Sequence, residues 1–256
     1  VFPIAHAWLV ERLVAKPSPA HYLGCVWPDM LFESPLGHAQ SHRGGAELVG
    51  HAHTLNGETA DVFRQFVAGV LTHGSEPRGF DWYSDEEYGG ADVGARGYAF
   101  QKGRSLAHDA SRACDVPEDA GWWKAHNLVE MAFERPLFAE RHEWGDRLLA
   151  ACGDEALIAC IAAELAHIFA LPAEALALPM RRFPEVSQLR PTHALALAER
   201  YAVQTRLKHP GAVPDVAAIA GLIERAEEII ASDGQGFLAD CEEAVGTMLR
   251  ETLGTT

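Results

Sequence analysis

The 256-residue chain has no run of eighteen apolar residues. The nearest, Ala156 to Pro172, is interrupted by Glu164 and His167, so it reads as a buried helix and no transmembrane segment is expected. Basic residues are also scarce, with 21 Lys and Arg against 36 Asp and Glu and a formal charge of -15. A broad cationic face for phosphate backbones is therefore missing, and duplex nucleic acid is excluded as a partner. A nuclease that relies on metal ions instead of a basic groove stays compatible with this balance. The five cysteines form no C-x-x-C and leave one over, which favours a reducing compartment. The opening VFPIAHAWLV has no basic stretch, long apolar core or A-x-A site, and a leader trimmed upstream of it is compatible with the missing Met. The expected location is the cytoplasm. Strand signals are few, since the one Asn-Gly pair, Asn56-Gly57, is followed by a polar run.

Helical periodicity is abundant. Ile4, Ala5, Trp8, Leu9 and Leu13 form one stripe, stopped by Lys16-Pro17-Ser18-Pro19. Val62, Phe63, Phe66, Val67, Val70 and Leu71 form another, closed by Gly74. A third helix is expected from Pro117, as its first residue, to a break near Pro136. Four more fit Asp154 to Leu171, Thr192 to Leu207, Val216 to Ser232 and Gln235 to Met248. The fold class is all-α, a multi-helix bundle with long ligand-bearing loops. Residues 1–172 are expected to form a metal-binding helical core, and 173–256 to be helices packing on it within one compact domain. Two long segments, Gly24 to Gly57 with four histidines and Gly74 to Gly103 with six acids between Glu76 and Asp92, read as irregular and functional.

Histidine is the abundant residue of interest: eight of thirteen fall in the first 108 positions, interleaved with acids, as a metal site needs. In His126-Asn-Leu-Val-Glu130 the imidazole and the carboxylate lie one helical turn apart on one face, flanked by Trp122, Trp123, Leu128 and Val129. An isolated pair at this spacing is more often a solvated ion pair than a ligand set; the apolar flanks turn this one inward. His73 ends a buried stripe, where it serves either as a satisfied core residue or as a ligand. Asp81 and Asp85 follow it. Asp29 stands just after Pro28, its backbone pinned beyond an element end.

The order of these units resembles the zinc-dependent phospholipase C superfamily, which also holds single-strand-specific nucleases and glycosylphosphatidylinositol phospholipase D relatives. The carrying features are a histidine on the first helix, Gly-x-x-x-Pro-Asp (Gly24 to Asp29), a histidine 13 residues on, an aromatic-rich helix ending in histidine, and the later H-x3-E. They span roughly residues 1 to 135. The resemblance implies an all-α fold and a metal cluster held by His6, Asp29, His42, His73, His126 and Glu130, with His38, His51 or His53 as alternatives to His42. The family pattern has Asp four residues after the buried histidine, bridging two metals; here Pro77 stands there. Asp81, eight after His73, replaces the pattern's later histidine, and the bridge falls to Glu76, Asp81 or Asp85. The family's first-position tryptophan is replaced by Val1-Phe2, so two zinc ions are implied, or other divalent metals, where fuller members hold three.

What the resemblance implies chemically is metal-assisted hydrolysis of a small-molecule or lipid phosphoester, with Asp29 or Asp81 positioning or deprotonating water. Arg43, Arg78 and Lys102 are the cations available for phosphate, and Trp27, Phe32, Trp82, Tyr83 and Tyr88 the aromatics available for a pocket. Two other readings compete. A di-iron oxygenase needs two E-x-x-H motifs, and only Glu164-Leu-Ala-His167 is present. A non-catalytic binding protein with a decayed site would explain Pro77, though not the survival of so many ligand types in order.

Overall fold

Pro3 to Val10 are buried on every side, so the first helix, α1 (Pro3–Leu13), is a core element and not an amphipathic surface one. The computed structural model describes residues 3–30, 34–89 and 96–254, and among them there are fourteen α-helices and no strand. The all-α expectation is met. Around α1 stand α2 (Pro19–Val26), α5 (Glu58–His73), α8 (Gly121–Glu140), α9 (Glu143–Cys152) and α14 (Gly234–Leu253). Two short helices, α3 (His38–Arg43) and α4 (Gly45–Thr54), precede α5, and two more, α6 (Tyr98–Gly103) and α7 (Ala107–Cys114), precede α8. The remainder are α10 (Glu155–Phe169), α11 (Ala173–Val186), α12 (Ala194–Lys208) and α13 (Val216–Ile230). One apolar core runs through them from Ile4 to Leu249: α13 packs on α7 and α8, and α14 on α1 and α5.

Where capping chemistry is present the helix starts are sharp. The side chains of Asp154, His193 and Asp215 each accept an amide three residues on, opening α10, α12 and α13. Two boundary expectations are corrected. Pro117 is not a first α-helical residue: it precedes a 3-10 turn, Glu118–Ala120, and α8 starts after that. Nor does α8 break near Pro136. A proline loses the bond from its own nitrogen and crowds the carbonyl four residues back, but the buried Leu137 and Phe138 hold the final turn to the core. The two irregular segments are also partly helical, containing α3, α4, a π-helical turn (Trp82–Glu86) and α6. Their short helices bury too few residues to show a stripe in sequence.

The closest crossing in the fold is α2 on α5. A Cβ at Gly24 would lie 2.1 Å from the Phe66 carbonyl oxygen, and one at Gly69 would lie 2.3 Å from that of His21. Glycine on both helices lets the backbones touch, which brings the end of α2 beside the end of α5.

The start of α1 is held by Glu134 of α8, whose fully buried carboxylate accepts from the amides of Ile4 (3.2 Å) and Ala5 (3.0 Å). Burial pushes its pKa up from 4.5 to about 8, against the pull of the two amides. The folded chain therefore keeps a proton that the unfolded chain releases above pH 4.5, and stability declines from there until about pH 8. Glu134→Gln keeps the volume and one accepting oxygen. Denaturant melts at several pH values should show this slope, at most about 1.4 kcal/mol per pH unit, removed in the variant. A variant whose stability parallels wild type across that range would contradict the assignment.

Candidate metal centre

Five side chains from five separate places converge at the ends of these helices. His6 comes from α1, Asp29 from the 3-10 turn after α2, His42 from α3, and His73 from the last residue of α5. Asp81 is delivered by the loop after α5. That loop is tied down where Ser75 and Glu76 donate to the His42 carbonyl at 2.8 and 3.2 Å. Asp81 is the hub: Oδ2 lies 3.1 Å from His73 Nε2 and 3.3 Å from His42 Nε2, while Oδ1 lies 3.7 Å from His6 Nε2. Asp29 closes the ring, 3.8 Å from His42 and 3.9 Å from His73. The His6 and His73 rings stack with centroids 3.7 Å apart.

The orientation of the imidazoles is set from behind. His73 Nδ1 donates to the Cys25 carbonyl at 2.6 Å, a contact that exists because α2 and α5 cross on their glycines. His42 Nδ1 is engaged by Ser41 Oγ (2.8 Å) and by the His38 carbonyl (3.2 Å). In both rings Nε2 is thereby aimed into the cluster, as metal-binding histidines are held by partners on the other nitrogen. A bare Nε2 lone pair facing a carboxylate oxygen at these distances is repulsive, so a proton or a cation must lie between them. His73 Nε2 is buried and out of hydrogen-bond alignment even though Asp81 is near.

With protons as the only cations, burial works against charging His42, but the carboxylates of Asp29 and Asp81 facing its Nε2 push its pKa up to about 10. His73 is raised by the same two carboxylates against its burial. Burial would raise Asp29 and Asp81, yet both are held below the carboxylate range, with His73 and His42 among the causes. His6 is pushed down to about 3 by burial and by His73. Three imidazoles and two carboxylates gathered in one cluster are donor types that could hold divalent ions.

A second group forms where α8 meets the π-helical turn. His126 Nε2 lies 2.5 Å from Asp85 Oδ1 and 3.1 Å from Glu130 Oε1, and Ser84 Oγ donates to the same Glu130 oxygen at 2.5 Å. The other His126 nitrogen faces Asn127 Oδ1 at 3.0 Å, and Asn127 donates in turn to Tyr201 Oη of α12 at 2.9 Å. Burial opposes charge on His126, but Asp85 and Glu130 raise it, while burial lifts Glu130 to about 7. Asp81 and Asp85 stand four residues apart, so one turn of chain links the two groups. Within three sets, His6–Asp29–His73, His42–His73–Asp81 and Asp85–His126–Glu130, the donor atoms lie within 4.8 Å of one another, close enough to hold metal ions.

All seven residues marked in sequence as ligands thus lie in one of two groups. His42 and not its rivals occupies its place: His38 only stacks on it, His51 pairs with Glu164 at 2.8 Å, and His53 is exposed. Asp85, offered in sequence only as one candidate for the bridge and not for the second group, sits closest to His126; its spacing from Asp81 repeats the i, i+4 pattern of His126 and Glu130. Glu76 is excluded as a bridge, being exposed and paired with Arg43. The Glu164-x-x-His167 pair forms no site, because Glu164 turns to His51 and His167 is exposed.

The expected phosphate and pocket residues fare less well. Arg43 is engaged by Glu86 (3.3 Å), and Lys102 by Asp233. Arg78 stands over the Trp82 ring at 4.5 Å and meets no carboxylate among the described residues. Trp27 is core, packed on Phe66 and Phe169, and Tyr88 is held by Asp240 and by aromatic neighbours. Tyr83 is only partly buried, and Phe32 lies outside the described residues. Comparison of the chain with family models, with curated proteins and with solved structures gave no match. No helix among the described residues is long and apolar enough to cross a membrane.

Proposed function

We propose that the chain is a metal-dependent hydrolase of phosphoesters with the zinc phospholipase C type of architecture, binding about two zinc ions per chain. The observation that carries this reading is the pair of carboxylates, the buried Asp81 and the partly buried Asp29, faced by the Nε2 atoms of His42 and His73, whose rings are held on the other nitrogen. The ligand order His6, Asp29, His42, His73, His126, Glu130 supports it, because that order is the one the resemblance implies, with Asp81 standing where the pattern has a later histidine. A bound ion of this kind polarises phosphoryl oxygens and lowers the pKa of a water from about 15.7 toward about 7. The chain's own part is positional. Asp81 presents its two oxygens to different imidazoles and would be the carboxylate placed to hold two ions, where the resemblance would put one at the position of Pro77. Asp29, on the more accessible side with its side chain 17% exposed, orients water and accepts its proton. Arg78, stacked on Trp82, is the cation that meets the phosphate.

The test is elemental analysis of tag-free protein, followed by hydrolysis of bis-p-nitrophenyl phosphate. Zinc in the stated amount, with turnover lost in Asp29→Asn and on chelation, is the expected result. Two irons per chain would move the assignment to oxygen chemistry. No metal after reconstitution would leave a binding protein.

A further inference from the structure

Most arginines of this acidic chain are matched by acids: Arg12 by Glu242, Arg135 by Glu227, Arg190 by Asp146 and Arg225 by Asp109. Arg96 and Arg104 are not, meeting no carboxylate among the described residues. Both line a solvent-open groove of about 260 Å³ where α6 meets the first turn of α8. The same groove holds Trp122 and Trp123, 43% and 52% exposed, the two most exposed tryptophans described. Phe100 forms its buried floor, and Asp119 is the one acid on its wall among the described residues.

These residues are arranged around one ring. The Arg96 guanidinium lies 4.9 Å from the Phe100 centroid, and Trp123 meets Phe100 edge-on at 4.9 Å. Phe100 in turn stacks on His126 at 4.3 Å and 17°. The groove floor is therefore the ring that backs a histidine of the second ligand group. Exposed indole faces are costly to leave in water and stack readily on any planar ring. Guanidinium forks without partners bind phosphate oxygens bidentately.

We propose that this groove recognises an aromatic or heteroaromatic phosphate of about mononucleotide size, with Trp122 and Trp123 taking the ring and Arg96 and Arg104 the phosphate. The volume suits one ring system with its phosphate, lying just below the roughly 300 Å³ at which small-molecule sites begin. Binding in the groove needs no metal. That the bound molecule is the substrate of the neighbouring centre rests on the hydrolase reading above.

The test is calorimetric titration of the full chain, as purified and again after chelation, with AMP, phenyl phosphate, inorganic phosphate and dodecyl phosphate. AMP and phenyl phosphate should bind in both states, about ten-fold or more tighter than the two ringless phosphates. Arg104→Ala and Trp123→Ala, both at exposed positions, should each weaken AMP about ten-fold with the helical circular-dichroism signal unchanged, while Arg206→Ala should not. Equal affinity for inorganic phosphate and AMP overturns the ring assignment. Absence of saturable binding by either aromatic phosphate overturns the site, as does tryptophan burial on phosphatidylglycerol vesicles without AMP binding, which would make the patch a membrane contact. Binding that persists while bis-p-nitrophenyl phosphate is not hydrolysed would sink the hydrolase and leave the groove standing.

Discussion

His73→Ala should strip the protein of metal. This side chain belongs to two of the three candidate ligand sets, so its loss opens both at once. Removal of even an outer-shell partner costs metal affinity about 10- to 100-fold, and a direct ligand shared by two sets should cost at least that upper figure. The fold suffers as well, because Asp29 and Asp81 lose one of the cationic groups that keep them charged, leaving buried carboxylates under-compensated by about 3–5 kcal/mol. Zinc content by elemental analysis and thermal melts with and without chelator separate the two effects. Wild type should melt earlier once chelated, whereas the variant should be indifferent to chelator. His193→Ala is the control, since His193 caps α12 through Ala196 and faces no ligand group. It should lose up to about 1 kcal/mol of stability and no metal. Full metal content in His73→Ala would dispose of the centre.

Gly24→Ala should be nearly as damaging without touching a ligand. Its new methyl would stand 2.1 Å from the Phe66 carbonyl oxygen and 3.1 Å from the Val70 amide nitrogen, backbone atoms that cannot swing aside. The helices must separate, at a cost of about 3 kcal/mol, at the upper end for overpacking. Separation also withdraws the Cys25 carbonyl from His73 Nδ1, so the ring loses its orientation. Metal affinity should therefore fall in a variant whose ligands are all intact. Gly221→Ala, where nothing stands within 4 Å of the added carbon and the site is mid-helix, should be neutral or slightly stabilising. Equal midpoints in urea for Gly24→Ala and wild type would mean the crossing is looser than described.

The stripes of α5, α10 and α13 were legible because each is long enough for its apolar period to repeat, whereas α1 is buried on every side and has no single stripe. Helices α3 and α6 were not, having six residues each, fewer than two turns. Pro136 misled because its effect in isolation is to break a helix, and tertiary packing of the last turn overrides that. His126 and Glu130 were readable as a unit because one helix fixes their spacing, whereas Asp85 meets them only through the π-helical turn. Arg43 and Lys102 looked available in sequence because nothing local shows that Glu86 and Asp233, 43 and 131 residues away, will meet them.

Composition and periodicity by themselves determined that this is a helical chain, acidic overall, with histidines gathered in its first half. Those properties follow from local propensity, charge count and the 3.6-residue repeat, none of which needs a partner. Only the tertiary structure decided which histidine joins the cluster, that Asp81 is its hub, and that Asp85 belongs to the second group. It also decided that Arg96 and Arg104, which meet no carboxylate among the described residues, stand beside two exposed tryptophans. Each of these depends on side chains distant in sequence being brought within a few ångströms, and that distance is set by packing: by two glycines at a crossing and a loop tied to the His42 carbonyl.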